Sequence, residues 1–153
     1  MGKLNVGDLA PEFELNNQNG ELISSESLKG KKYILYFYPK DNTSGCTAEA
    51  CSLRDGQKEL EKMGFTILGV SKDSEASHRR FIVKQSLTFT LLADTEHAVA
   101  EKFGVWTLKK MCGKEYMGML RHTFIVDENG KIERIFEKVN TKAHFEQIVD
   151  SYK

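Results

Sequence analysis

At 153 residues, 40% hydrophobic and 29% charged, the chain is long enough to enclose one core and has the composition of an ordinary globular protein. Lys plus Arg and Asp plus Glu both total 22, a balance that leaves no basic footprint for nucleic acid or an anionic membrane. No apolar run reaches membrane-spanning length, and three cysteines do not make a disulfide framework, so a cytoplasmic protein with catalytic, redox-active, metal-bound or simply buried thiols is expected.

The N-terminal "MGKLNVGDLA" lacks the apolar stretch of a signal peptide, and its Met1-Gly2 start is followed by Val6 where a myristoylation signal carries Ser or Thr. "EFEL" (12–15) and "ELIS" (21–24) flank "NNQNG" and predict a hairpin. "YILYFY" (33–38) is continuously apolar and β-prone, the pattern of a central strand buried on both faces. After Pro39 the period changes. Cys46, Ala50, Leu53, Gln57 and Leu60 mark one helical face, with Thr43 and Ser44 as capping residues and Gly64 as the stop.

"FTILGVS" (65–71) predicts the next strand and "DSEASHRRFIVKQ" (73–85) the next helix, capped by Asp73 or Ser74. "FTLLAD" (89–94) is a further strand and "TEHAVAEKFG" (95–104) a helix closed by Gly104. Residues 105–119 read as irregular. Two strands then meet at an Asn129-Gly130 turn, and a helix from about Thr141 closes the chain. This alternation predicts an α/β fold with a mostly parallel sheet, covering helices and an antiparallel edge.

In such sheets chemistry sits beyond the C-terminal strand ends, which is where Cys46 falls. A thiolate, not a thiol, is the nucleophile, and the unpaired N–H groups of a helix start favour the anion. Thr43 brings a hydroxyl near the sulfur, and Pro39 stiffens the strand-to-loop turn. Glu49, one turn on from Cys46, opposes a thiolate, so a cation must come from elsewhere in the chain.

The pattern Pro39-x-x-x-Thr43-x-x-Cys46 resembles the active-site loop of peroxiredoxins, and "YFYPKDNTSGCTAEACSLRD" resembles their bacterioferritin comigratory protein branch, or Q type. "FGVW" (103–106) and "RHTFIVDENGKI" (121–132) resemble the same branch in the same order, so the likeness covers most of the chain. It departs at Asn42 and Ser44, where Asp and Pro are common.

The resemblance implies a single thioredoxin-like domain over residues 1–153, a central mixed sheet flanked by helices, with an N-terminal β-hairpin extension. It also implies thiol-dependent reduction of hydroperoxides without metal, flavin or nicotinamide. Cys46 would be the peroxidatic nucleophile, Cys51 the resolving thiol, Thr43 and Pro39 the pocket residues and Arg121 the cation. Thioredoxin is the implied reductant. No long exposed heptad or amphipathic partner helix argues for assembly, so a monomer is expected.

Cys112 has no counterpart in the resemblance and is expected to be dispensable. Trp106 is read as packing, and His78, His97, His122 and His144 as structural or solvated, since none has ligand spacing. A thiol–disulfide oxidoreductase is the competing reading, weakened by Cys-x-x-x-x-Cys in place of Cys-x-x-Cys; a zinc module is a third, weakened by having only three cysteines. If one helix spans Cys46 and Cys51, ideal geometry puts their Cα atoms about 8.7 Å apart. A disulfide spans at most about 6.8 Å, so the first turn would have to unwind.

Overall fold

The computed structural model describes residues 3–153, so the Met1-Gly2 start lies outside the described residues. The hairpin β1 (Glu14–Asn17) and β2 (Leu22–Ser24) precedes β3 (Lys32–Phe37), the strand around which the fold is built. Alternation along β3 and its exit is strict. Tyr33, Leu35 and Phe37 enter one core, and Ile34, Tyr36 and Tyr38 enter the other. Two cores on one strand require covering layers on both sides, as the continuous apolar run predicted.

Helix α1 (Ser44–Lys62) leads into β4 (Phe65–Ser71), α2 (Glu75–Gln85), β5 (Thr90–Ala93) and the short α3 (Ala98–Lys102). Ser74, one of the two expected caps, accepts the Ser77 amide. Strands β3, β4 and β5 are parallel. The stretch 105–119 is not irregular. It forms a separate two-stranded antiparallel hairpin, β6 (Trp106–Met111) with β7 (Lys114–Met119). Its turn places Cys112 at φ 51° and Gly113 at φ 78°, the two positive φ values of a type I′ hairpin. A cysteine in the first of those positions, where Asn or Asp is usual, hid the turn from the sequence reading.

Strands β8 (Thr123–Val126) and β9 (Ile132–Phe136) follow, joined through a turn at Asp127–Gly130 in which Gly130 takes φ 77° and Asn129 keeps a negative φ, so Asn129-Gly130 lies in the turn but is not the two-residue turn expected. Helix α4 (His144–Asp150) starts three residues later than expected. The main sheet has the order β2-β1-β5-β4-β3-β8-β9. Only its centre is parallel. β1 runs antiparallel to β5 and β8 antiparallel to β3, so the sheet is mixed rather than mostly parallel. Side chains of α1, α2 and α4 pack with Ile34, Tyr36 and Tyr38, while α3 and Phe13 pack on the opposite face. Among the described residues, no helix is long and apolar enough to cross a membrane.

Candidate active site

The chain leaves β3 through Pro39 and reaches α1 through a four-residue turn in which Asn42 takes a left-handed φ of 64°. Thr43 is the N-cap by backbone geometry, yet its hydroxyl does not cap the helix; it donates to the Lys40 carbonyl at 2.9 Å. The amides of the first turn, around Gly45 and Cys46, therefore keep no side-chain acceptor and face outward with the positive end of the helix dipole. Cys46 sits in that turn, 1% exposed, on the same buried stripe as Ala50, Leu53 and Leu60.

Arg121 is the residue the resemblance named as the cation. Arg121 lies between β7 and β8, half-buried, and its Nη1 donates to Glu49 Oε1 at 2.9 Å. A Cβ at Gly45 would stand 3.1 Å from Arg121 Nη2, so glycine there lets the guanidinium lie against the first turn of α1. Burial alone would ease a proton off Arg121, but the charges of Cys46 and Glu49 outweigh it and hold the guanidinium more firmly protonated.

Glu49 was read from the sequence only as a complication. It is fully buried, and desolvation pushes its carboxyl up to about 7 although Arg121 pulls the other way. Its Oε2 has no hydrogen-bond partner, nor has the buried Tyr36 hydroxyl, whose ionisation feels the charges of both Glu49 and Cys46. A glutamate on an otherwise apolar helical stripe was the signal that could have found it.

His144, read as structural or solvated, is buried with Nε2 3.7 Å from Glu49 Oε2. Its Nδ1 donates to Gln147 Oε1 at 2.9 Å, a tautomer assigned from that acceptor, which leaves Nε2 to accept the Thr123 hydroxyl at 2.9 Å. Burial depresses His144 to about 4, and Arg121 adds to the depression. At neutral pH it is uncharged, and its approach to Glu49 is not an ion pair.

The other predicted residues are spread around this centre. Cys51 is on α1, half-buried, but its Sγ points to Gln85 Oε1 at the end of α2, 3.6 Å away. All three thiols are free, and Cys112 is exposed at the tip of the β6–β7 hairpin. Trp106 packs, its ring stacked on His97 at 4.1 Å. His122, half-buried and just before β8, adjoins Phe124 on the face opposite Cys46.

The thioredoxin-like scaffold, a mixed sheet flanked by helices, thus holds a buried cysteine in the first turn of a helix with an arginine beside it. The AhpC/TSA family model matches residues 6–135. The chain is 43% identical to peroxiredoxin Bcp of Escherichia coli strain K12 over 98% of its own length and 96% of that protein. Against peroxiredoxin Bcp of Bacillus subtilis strain 168 it is 44% identical, with the same coverage.

Among solved structures, peroxiredoxin Q of Xanthomonas campestris superposes with a TM-score of 0.85 at 34% identity, over 91% of this chain and 88% of that one. A structure of the same organism's bacterioferritin comigratory protein concerns its alkyl peroxide reduction activity. A Xylella fastidiosa PrxQ variant superposes at 0.92 and 28% identity, over 99% and 97%. The chain belongs to the AhpC/TSA family and, within it, to the Bcp or Q-type peroxiredoxins. It is a peroxidase, an oxidoreductase of that class.

Proposed function

We propose that Cys46 is the peroxidatic nucleophile, that Cys51 resolves it, and that hydrogen peroxide and alkyl hydroperoxides are the substrates. The observation carrying this reading is the placement of Cys46 among uncapped first-turn amides with the Arg121 guanidinium alongside. The Cys46 thiolate attacks the terminal peroxide oxygen; the S–O bond forms, the O–O bond breaks, and the leaving alkoxide takes a proton from solvent. Arg121 and the amides near Gly45 and Cys46 supply donors where negative charge grows.

Thr43 acts as an acceptor. Its proton is committed to Lys40, so its free lone pairs accept the hydrogen of the bound hydroperoxide. Pro39 keeps the loop in register with β3. The Cys51 sulfur then attacks the sulfenic acid of Cys46, forming S–S and releasing water that carries the Cys51 proton. Thioredoxin reduces the disulfide, and the chain works as a monomer in the cytoplasm, where thiols are kept reduced.

Peroxide turnover coupled to thioredoxin and thioredoxin reductase, on native protein and three single Cys→Ser variants, tests this. Cys46→Ser abolishes turnover because a serine hydroxyl without a base is a weak nucleophile. Cys51→Ser still oxidises once at Cys46 but stops cycling, and Cys112→Ser cycles normally. Activity in Cys46→Ser, or a Cys46–Cys112 disulfide in oxidised protein, removes the assignment.

A further inference from the structure

Asp41, in the turn that carries Cys46, is 4% exposed, and His78 on α2 is completely buried. Asp41 Oδ1 accepts the Tyr38 hydroxyl at 2.7 Å, and Oδ2 accepts the Ser77 hydroxyl at 2.8 Å. Oδ2 also faces His78 Nδ1 at 2.8 Å, while His78 Nε2 meets the Leu92 carbonyl on β5 at 2.9 Å. A carbonyl only accepts, so Nε2 carries a proton, and a second proton must lie in the Nδ1–Oδ2 contact. Two hydroxyls already donate to the same carboxylate, which assigns that second proton to the ring. Desolvation would raise the Asp41 carboxyl, but His78, Tyr38 and Ser77 outweigh it and hold it below the usual range.

The backbone is tied at the same residue. The Asp41 amide donates to Asp73 Oδ2 at 2.8 Å, and that oxygen also takes the Ser71 hydroxyl at the end of β4. One residue is thus fastened to β4 by its backbone, to α2 by its side chain and to β5 through His78. Immediately beyond it Asn42 reverses the chain, Thr43 takes the N-cap position of α1 without a side-chain cap, and Cys46 follows.

A buried ion pair adds little stability over an apolar replacement of similar volume, so its physical advantage is directional: it fixes geometry. We infer that Asp41 and His78 are positioning residues, an ion-paired anchor that sets where α1 begins and stops its unwinding from running back into β3. The inference rests on the peroxidase reading, in which Cys46 must be held still for peroxide and then released to meet Cys51.

The test compares native protein with Asp41→Ala and Asp41→Asn at a temperature where circular dichroism shows each folded. Quench-flow mass spectrometry follows Cys46 oxidation by hydrogen peroxide, and hydrogen exchange maps the oxidised state. Asp41→Ala slows Cys46 oxidation about tenfold or more, the scale expected of a misplaced reacting group. In its oxidised form fast exchange spreads upstream of Asn42 to Tyr38. Asp41→Asn, which can still accept from Tyr38 and donate to a neutral His78, recovers most of the rate.

In native protein, nitrogen NMR shows both His78 ring nitrogens engaged in hydrogen bonds, Nδ1 with Asp41 and Nε2 with Leu92, a reading that needs no variant to fold. A bare Nδ1, or a folded Asp41→Ala with native oxidation rate and unwinding still confined beyond Asn42, overturns the anchor alone. Native Cys46 inert to peroxide overturns the peroxidase reading and the anchor with it.

Discussion

Arg121 serves two acidic groups with one guanidinium, Glu49 through a 2.9 Å hydrogen bond and Cys46 through its charge. On the proposed mechanism, removing it deprives the transition state of a donor, and it leaves Glu49 buried without its cation. Arg121→Ala is expected to slow Cys46 oxidation by about 10²–10³-fold, the usual loss for one such donor. Arg121→Lys is also impaired, because an ammonium cannot reproduce the planar fork that meets carboxylate and sulfur together. Stopped-flow oxidation and the pH dependence of Cys46 alkylation measure both. Profiles unchanged in Arg121→Ala would deny Arg121 this role.

Helix α1 has two requirements that pull against each other. It runs unbroken from Ser44 to Lys62 and so spans both thiols, with Cys46 on the buried stripe and Cys51 turned toward Gln85. Cα atoms five residues apart on a helix are about 8.7 Å apart, too far for a disulfide. The Cys46–Cys51 disulfide proposed above requires the first turn to open, and its construction favours that: the Thr43 hydroxyl does not cap it and Gly45 lies within it. Further along, the helix is clamped. Ser52 Oγ accepts the Phe145 amide at 3.1 Å, and Gly56 sits so close to Phe145 that a Cβ would stand 2.0 Å from its ring. Oxidised protein should therefore exchange amide hydrogens faster, and be cut more readily by proteases, between Thr43 and Arg54, with later turns protected as in the reduced form. Equal protection in both redox states, with a Cys46–Cys51 disulfide confirmed, would contradict this.

At the scale of the whole molecule, the two buried groups behind the site give stability opposite pH dependences. Glu49 is raised from 4.5 to about 7, so the native state binds its proton more tightly than the unfolded chain; that contribution is full below pH 4.5 and lost as pH rises through 7. His144 is lowered from 6.5 to about 4, so its contribution is full above pH 6.5 and lost as pH falls through 4. Either displacement is worth about 3 kcal/mol across its window. The slopes oppose each other where the windows overlap, so in native protein the pair should add little net pH dependence between pH 4.5 and 6.5. Glu49→Gln leaves the His144 slope uncompensated, so its urea midpoint should fall relative to native protein as pH drops from 6.5 toward 4. Parallel midpoint curves for the two proteins would count against this account.

Local chemistry was readable in the amino-acid order. The continuous apolar run "YILYFY" announced a strand buried on both faces, the Cys46-Ala50-Leu53-Gln57-Leu60 spacing announced the buried face of α1, and Asn129-Gly130 announced a turn. Each depends on neighbours within a few residues, whose backbone geometry the sequence alone constrains. The Thr43-x-x-Cys46 spacing likewise placed the thiol at a helix start, although not the proton that Thr43 spends on Lys40. Burial and partnership were beyond such reasoning. Arg121 is 72 positions from Glu49, and His78 is 37 from Asp41; nothing local says that they meet. Whether Glu49 is a solvated helix-start carboxylate or a desolvated group near 7 depends on β3, α4 and Arg121 closing around it. Folding removes water from these groups and sets their charges, so the tertiary structure alone decided which polar residues surround Cys46.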